Sequence, residues 1–130
     1  INDIFKDSGE KYFREIEKNV NLRIIKKNDI VISLGGGAIM NNLVRKELKK
    51  NSLTLFLDVE LVEIVKRLEK SYHRPLLKNV NIKEKIKELD IERRKYYLNA
   101  DIVIKNATTP HETYKNFYLK FLKLNEKNNN

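Results

Sequence analysis

The chain of 130 residues has no cysteine. That excludes disulfides and thiolate metal sites, and it fits a reducing compartment. No apolar run approaches the length of a spanning helix. No stretch has the basic, apolar and small-residue order of a secretory leader. The expectation is a cytoplasmic protein with no membrane partner. Glycine is scarce, with four residues, three of them consecutive at positions 35 to 37.

What the chain has in quantity is positive charge, a formal +9. A basic balance suits an anionic partner such as nucleic acid, phosphate or carboxylate. Here the lysines are scattered along helical patterns and form no block, which favours compositional bias over a nucleic-acid face. The expected partners therefore exclude nucleic acid. A basic nucleic-acid-binding protein stands as the remoter alternative.

Three short apolar runs lack polar alternation: Ile30-Val31-Ile32, Leu53 to Leu57, and Ile102-Val103-Ile104. Such runs predict strands covered on both faces, as in parallel sheets. Helical patterns lie between them. Phe13, Ile16 and Val20 follow Gly9 at helix spacing. Leu61, Ile64, Val65 and Leu68 make an apolar stripe, and Ile82, Ile86 and Leu89 another. Asp58 is placed to cap the helix that starts near Glu60. Thr109-Pro110-His111-Glu112 combines a Thr cap, a Pro at the first helical position and a Glu closing a capping box. Tyr114, Phe117, Tyr118 and Phe121 are expected to form that helix's buried side. The alternation predicts one α/β layered domain over 1–124, with a loop at about 71–81 and a disordered polar tail over 125–130.

Four local patterns carry chemistry. Gly35-Gly36-Gly37-Ala38 ends a strand without side chains, so backbone N–H groups can approach a ligand. A tight turn explains the same residues. In Gly9-Glu10-x-x-Phe13-Arg14-x-x-Glu17, Arg14 and Glu17 share a helix face. A guanidinium aimed by a carboxylate can grip a substrate carboxylate through paired hydrogen bonds. A surface ion pair is the plain alternative. His73-Arg74-Pro75-Leu76-Leu77 places an arginine on a loop that could close over phosphates. His73 itself is more a bystander than a base. Glu92-Arg93-Arg94-Lys95-Tyr96-Tyr97, followed by Ala100-Asp101, puts basic groups near a helix end.

In this order and at these spacings, the four patterns resemble the shikimate kinase family from Ile1 through Ile104. The resemblance implies an α/β fold of the P-loop kinase type, a three-layer parallel sheet of order 2-3-1-4-5, of which this chain supplies strands 3, 4 and 5. It implies transfer of the ATP γ-phosphate to the 3-hydroxyl of shikimate in aromatic amino-acid synthesis, with Mg²⁺. Arg14 and Arg93 would then bind the shikimate carboxylate, with Glu17 orienting Arg14. Gly35, Gly36 and Gly37 would line the hydroxyl side, and Arg74 would be the lid arginine on the ATP phosphates. A monomer is implied.

Two departures matter. Lys95 stands where many members carry Pro. More seriously, the family's G-x-x-x-x-G-K-[ST] loop and its D-x-D pair do not occur in these residues. That loop supplies N–H donors, a phosphate-contacting Lys and a Ser/Thr ligand of Mg²⁺, so no metal ligand is assigned here. The expectation is an N-terminally truncated, inactive portion of a kinase. A degenerate module that still binds a small acid is the alternative.

Overall fold

The computed structural model describes residues 2–69, 81–105 and 109–128. Helix α1 spans Asn2–Ile24 and is broken at Gly9, whose φ of 78° and ψ of 172° suit glycine alone. Phe5 and Phe13 meet across the bend, 4.9 Å between ring centroids. A 3-10 turn, Ala38–Met40, follows the glycine run. It leads into α2, Asn42–Asn51, where the Asn41 side chain accepts from the Leu43 and Val44 amides. That cap satisfies donors which the first turn leaves without partners.

Strand β1, Leu55–Asp58, and strand β2, Ile102–Lys105, pair in parallel, with Leu55 opposite Ile102 and Asp58 opposite Lys105. The connection carries α3, Leu61–Glu69, and α4, Ile82–Tyr97, which pack on each other. A crossover of this kind is what a parallel pair requires. The last helix, α5, Pro110–Asn128, packs on β2. Thr109 caps it as the sequence predicts: Thr109 Oγ1 accepts from the Glu112 amide at 3.2 Å and donates to the Glu112 carboxylate at 3.2 Å.

The core is small. Ile25, Val44 and Leu48 are buried together, flanked by Leu22, Ile32, Leu34 and Ile39. Each fully buried aliphatic side chain contributes about 1.5–3 kcal/mol. Val44 and Leu48 lie one helical turn apart, so α2 turns a single stripe toward α1.

Five expectations need correction. The Ile30 to Leu34 run is extended but belongs to no sheet; among the described residues the sheet has two strands, β1 and β2. Ile32 and Leu34 still face the core while Val31 is 98% exposed. The side-chain alternation of a strand is therefore present without a ladder, because no neighbouring strand lies at pairing distance. Nor is β1 covered on both faces: Leu55 and Leu57 are 42% and 46% exposed. Their side of the strand has no layer over it among the described residues. Asp58 does not serve as the helix cap; Arg94 engages its carboxylate through two hydrogen bonds of 2.9 and 3.2 Å. On α5, Phe117 and Phe121 are half-buried, but Tyr114 and Tyr118 are 61% and 47% exposed and stack on each other. Finally, α5 continues past Asn125 to Asn128, anchored by half-buried Leu124 beside β2.

One polar clasp sets the register of the sheet. The Asp101 carboxylate accepts from the Thr54 amide at 2.7 Å and the Thr54 hydroxyl at 2.5 Å, and the Asp101 amide donates to that hydroxyl at 3.0 Å. Burial opposes the charge on Asp101, but the Thr54 hydrogen bonds and its own amide outweigh it, with Lys49 adding to them, and hold the carboxyl below its ordinary value of 3.8. A depressed carboxylate contributes stability above its unfolded value and loses it as pH falls through the lower folded value. Thr54→Val should therefore cost about 1 kcal/mol at neutral pH, modest because the clasp is exposed. Urea titrations of both proteins should show that gap constant down to about pH 5 and narrowing as the pH drops below the carboxylate range.

Candidate functional site

The glycine run meets the rest of the site through the space its missing side chains leave. A Cβ on Gly35 would stand 2.6 Å from a carboxylate oxygen of Glu17. A Cβ on Gly37 would overlap the Arg14 guanidinium, 2.6 Å from its central carbon. Both positions need glycine for that close approach rather than for an unusual φ. On the other side, a Cβ on Gly36 would lie 3.2 Å from the Tyr97 hydroxyl and 3.7 Å from Arg93 Nη1.

Arg14 is held from two sides. Nη1 donates to Glu17 at 2.6 Å, while Nε and Nη2 donate to Glu10 at 3.3 and 3.2 Å. The three residues sit at positions i−4, i and i+3 of the second part of α1, so one helix face presents the whole group. Burial pulls the Arg14 pKa down, but the hydrogen bonds and charges of Glu17 and Glu10 raise it above its ordinary value. The guanidinium is thus a permanent cation. Three of its N–H groups are used by the carboxylates, and one on each Nη remains for a ligand.

Arg93 differs. Its Nε is buried and has no hydrogen-bond partner among the described residues. A buried donor left unsatisfied costs about 1–3 kcal/mol. A ligand acceptor reaching Nε would remove that cost. Arg14 and Arg93 line one cleft of about 450 Å³, together with Glu17, Gly37, Met40 and Glu92. That volume suits a small organic ligand. Two guanidiniums with free N–H groups, beside backbone carrying no side chain, can hold a small carboxylic acid and leave its far side open to a reaction partner.

The structure thus brings together Arg14, Glu17, Gly35, Gly36, Gly37 and Arg93. Arg74, His73 and the loop at about 71–81 lie outside the described residues, except for Asn81, whose side chain caps α4. Sequence reasoning assigned no role to Glu10 or to Tyr97, whose hydroxyl donates to the Gly36 carbonyl at 2.6 Å. Glu10 was detectable as a carboxylate four residues before Arg14. Tyr97 stood in the Glu92 to Tyr97 pattern without a role, because its partner is 61 residues away. Among the described residues no group of three or more His, Cys, Asp or Glu side chains could hold a metal ion. No helix among them is long and apolar enough to cross a membrane.

A parallel α/β layout with an arginine-lined cleft beside a strand-like segment is the plan of the small-molecule kinases of P-loop fold, and solved structures of that kind match the chain. It superimposes on the crystal structure of shikimate kinase from Aquifex aeolicus with a TM-score of 0.75 and 37% identity, covering 92% of this chain and 70% of that one. Against the Acinetobacter baumannii shikimate kinase solved in complex with shikimate, the TM-score is 0.84 at 27% identity, over 98% and 70% of the two chains. The shikimate kinase family profile matches residues 1–123. The chain belongs to the shikimate kinase family. Among curated relatives, the Bartonella quintana shikimate kinase is 31% identical over 99% of this chain, which spans 64% of that protein's length. The Aquifex aeolicus one is 38% identical over 92% of this chain and 70% of its own.

Gly37→Ala tests the close approach. The added methyl must displace the Arg14 guanidinium, which is the far end of a flexible, partly exposed side chain, so the change moves the cation at little cost in stability. A shifted Arg14 Nε–H resonance with little change in the urea midpoint is the expected result, whereas Gly9→Ala, strained at its positive φ, should lower the midpoint and leave that resonance in place.

Proposed function

We propose that the activity is that of shikimate kinase: transfer of the ATP γ-phosphate to the 3-hydroxyl of shikimate, with these residues forming the acid-binding side. The observation that carries this reading is the convergence of Arg14 and Arg93 on the Gly35–Gly37 turn. Arg14, aimed by Glu17, and Arg93, with its orphaned Nε, grip the carboxylate of the acid. Backbone N–H groups of the turn face its hydroxyls. Arg74 contacts the ATP phosphates. Phosphoryl transfer depends chiefly on positioning and on stabilising charge, and two fixed cations at the far end of the acceptor supply the positioning.

ATP is the co-substrate in this reading. Mg²⁺ would neutralise charge on its phosphates, but the described residues offer it no cluster of ligands. The phosphate loop whose Ser or Thr would bind the ion is not in the sequence. No step here is therefore assigned to the metal. The enzyme is proposed to be cytoplasmic and monomeric, with no nucleic-acid or membrane partner.

Calorimetric titration of the 130-residue chain with shikimate, without nucleotide, tests the acid site. Saturable binding is expected, weakened at least about tenfold by Arg93→Ala, since hydrogen bonds to charged groups contribute roughly 1.5–3 kcal/mol. Heats equal to dilution for the folded chain would refute the assignment. With Mg-ATP and shikimate, the same chain should show no turnover. Measurable ADP formation would overturn that expectation.

A further inference from the structure

We infer that Tyr97 is a positioning residue for the acid site: its hydroxyl fixes the glycine turn in the shape that Arg14 and Arg93 require. This role rests on the acid-binding reading proposed above. Tyr97 is the last residue of α4, four positions after Arg93. Its hydroxyl donates to the Gly36 carbonyl at 2.6 Å, and its ring stacks on Phe56 of β1, with centroids 5.0 Å apart and planes inclined by 20°. The stack aims the hydroxyl. The hydrogen bond then ties the middle of the glycine turn to the helix that carries Arg93.

A second tie grips the other end of the same segment. Tyr96, the neighbouring residue of α4, lies under the guanidinium of Arg45, 4.1 Å from ring centroid to central carbon. Arg45 donates to the carbonyls of Ile39 and Met40 at 2.7 and 2.8 Å. The last turn of α4 therefore holds the segment from Gly36 to Met40 at both ends. Three adjacent glycines have wide conformational freedom, and nothing in their own sequence selects one arrangement. The selection comes from Tyr97. With the Gly36 carbonyl turned toward the phenol, the turn keeps the close approach to Arg14 at Gly37 and to Glu17 at Gly35. Arg93 and the turn move as one body, so the spacing between the two cationic grips is preserved.

Tyr97→Phe removes the hydroxyl and keeps the ring stack. Two amides report on the turn, because Ala38 N–H is bonded to the Gly35 carbonyl and Met40 N–H to the Gly37 carbonyl. In the folded 130-residue chain, hydrogen exchange at Ala38 and Met40 should quicken about fivefold on losing one hydrogen bond. Exchange at Ile102 should change less than at Ala38 and Met40, and the thermal midpoint should fall by no more than the few degrees that one hydrogen bond accounts for. The dissociation constant for shikimate should rise by a similar factor. Unchanged exchange at Ala38 and Met40, or a uniform increase that includes Ile102, would overturn the role. If the unsubstituted chain takes up no shikimate, the acid-site reading fails by itself, and the exchange comparison still decides whether Tyr97 shapes the turn.

Discussion

Three backbone units without side chains lie against an arginine and a glutamate, and the rest of the site is arranged around that contact. The Arg14–Glu17 pair occupies the volume that side chains at Gly35 and Gly37 would claim. The ion pair is thereby drawn in from the surface, and Glu17 keeps only 14% side-chain exposure. Surface pairs of this spacing contribute little. Here the pairing fixes the direction of a cation, and its value lies in geometry more than in stability.

Helix α4 joins the two halves of the molecule. Near its C-terminal end, Arg94 holds the Asp58 carboxylate at the end of β1, and that carboxylate raises the Arg94 pKa further above its ordinary value. One residue earlier, Arg93 enters the cleft. Tyr97 reaches the glycine turn at Gly36, and Tyr96 packs under Arg45, which holds the carbonyls of Ile39 and Met40. Successive residues of a helix point about a quarter-turn apart, so four neighbours address the sheet, the cleft and the turn in different directions. Helix placement and cation placement are then the same event.

Most of the layout was legible in the sequence where the cause is local. The Thr109 cap acts within one turn and appears as expected, with Glu112 bonded to its hydroxyl. The Leu53 to Leu57 and Ile102 to Ile104 runs became the paired strands, trimmed to Leu55–Asp58 and Ile102–Lys105. Arg14 and Glu17 share a face because helix spacing demands it. Where the cause is distant, the sequence was silent. Ile30 to Leu34 has strand composition, but a strand exists only with a partner, and composition does not reveal one. Asp58 has the residue type of a helix cap, yet a guanidinium 36 residues away competes for it and prevails. The amphipathic reading of α5 fails at Tyr114 and Tyr118 because a tyrosine ring can stack on its neighbour in water as well as in a core.

The occupied space at residues 35 and 37 has a genetic corollary. Every coding change that alters a glycine adds at least one carbon, and here that carbon finds a guanidinium or a carboxylate already in place. No conservative neighbour exists for these codons, whereas lysines on the outer helical faces can be exchanged with little structural effect. A substitution at the turn is therefore felt first at the pocket, where Glu17 or Arg14 must shift to admit the new side chain.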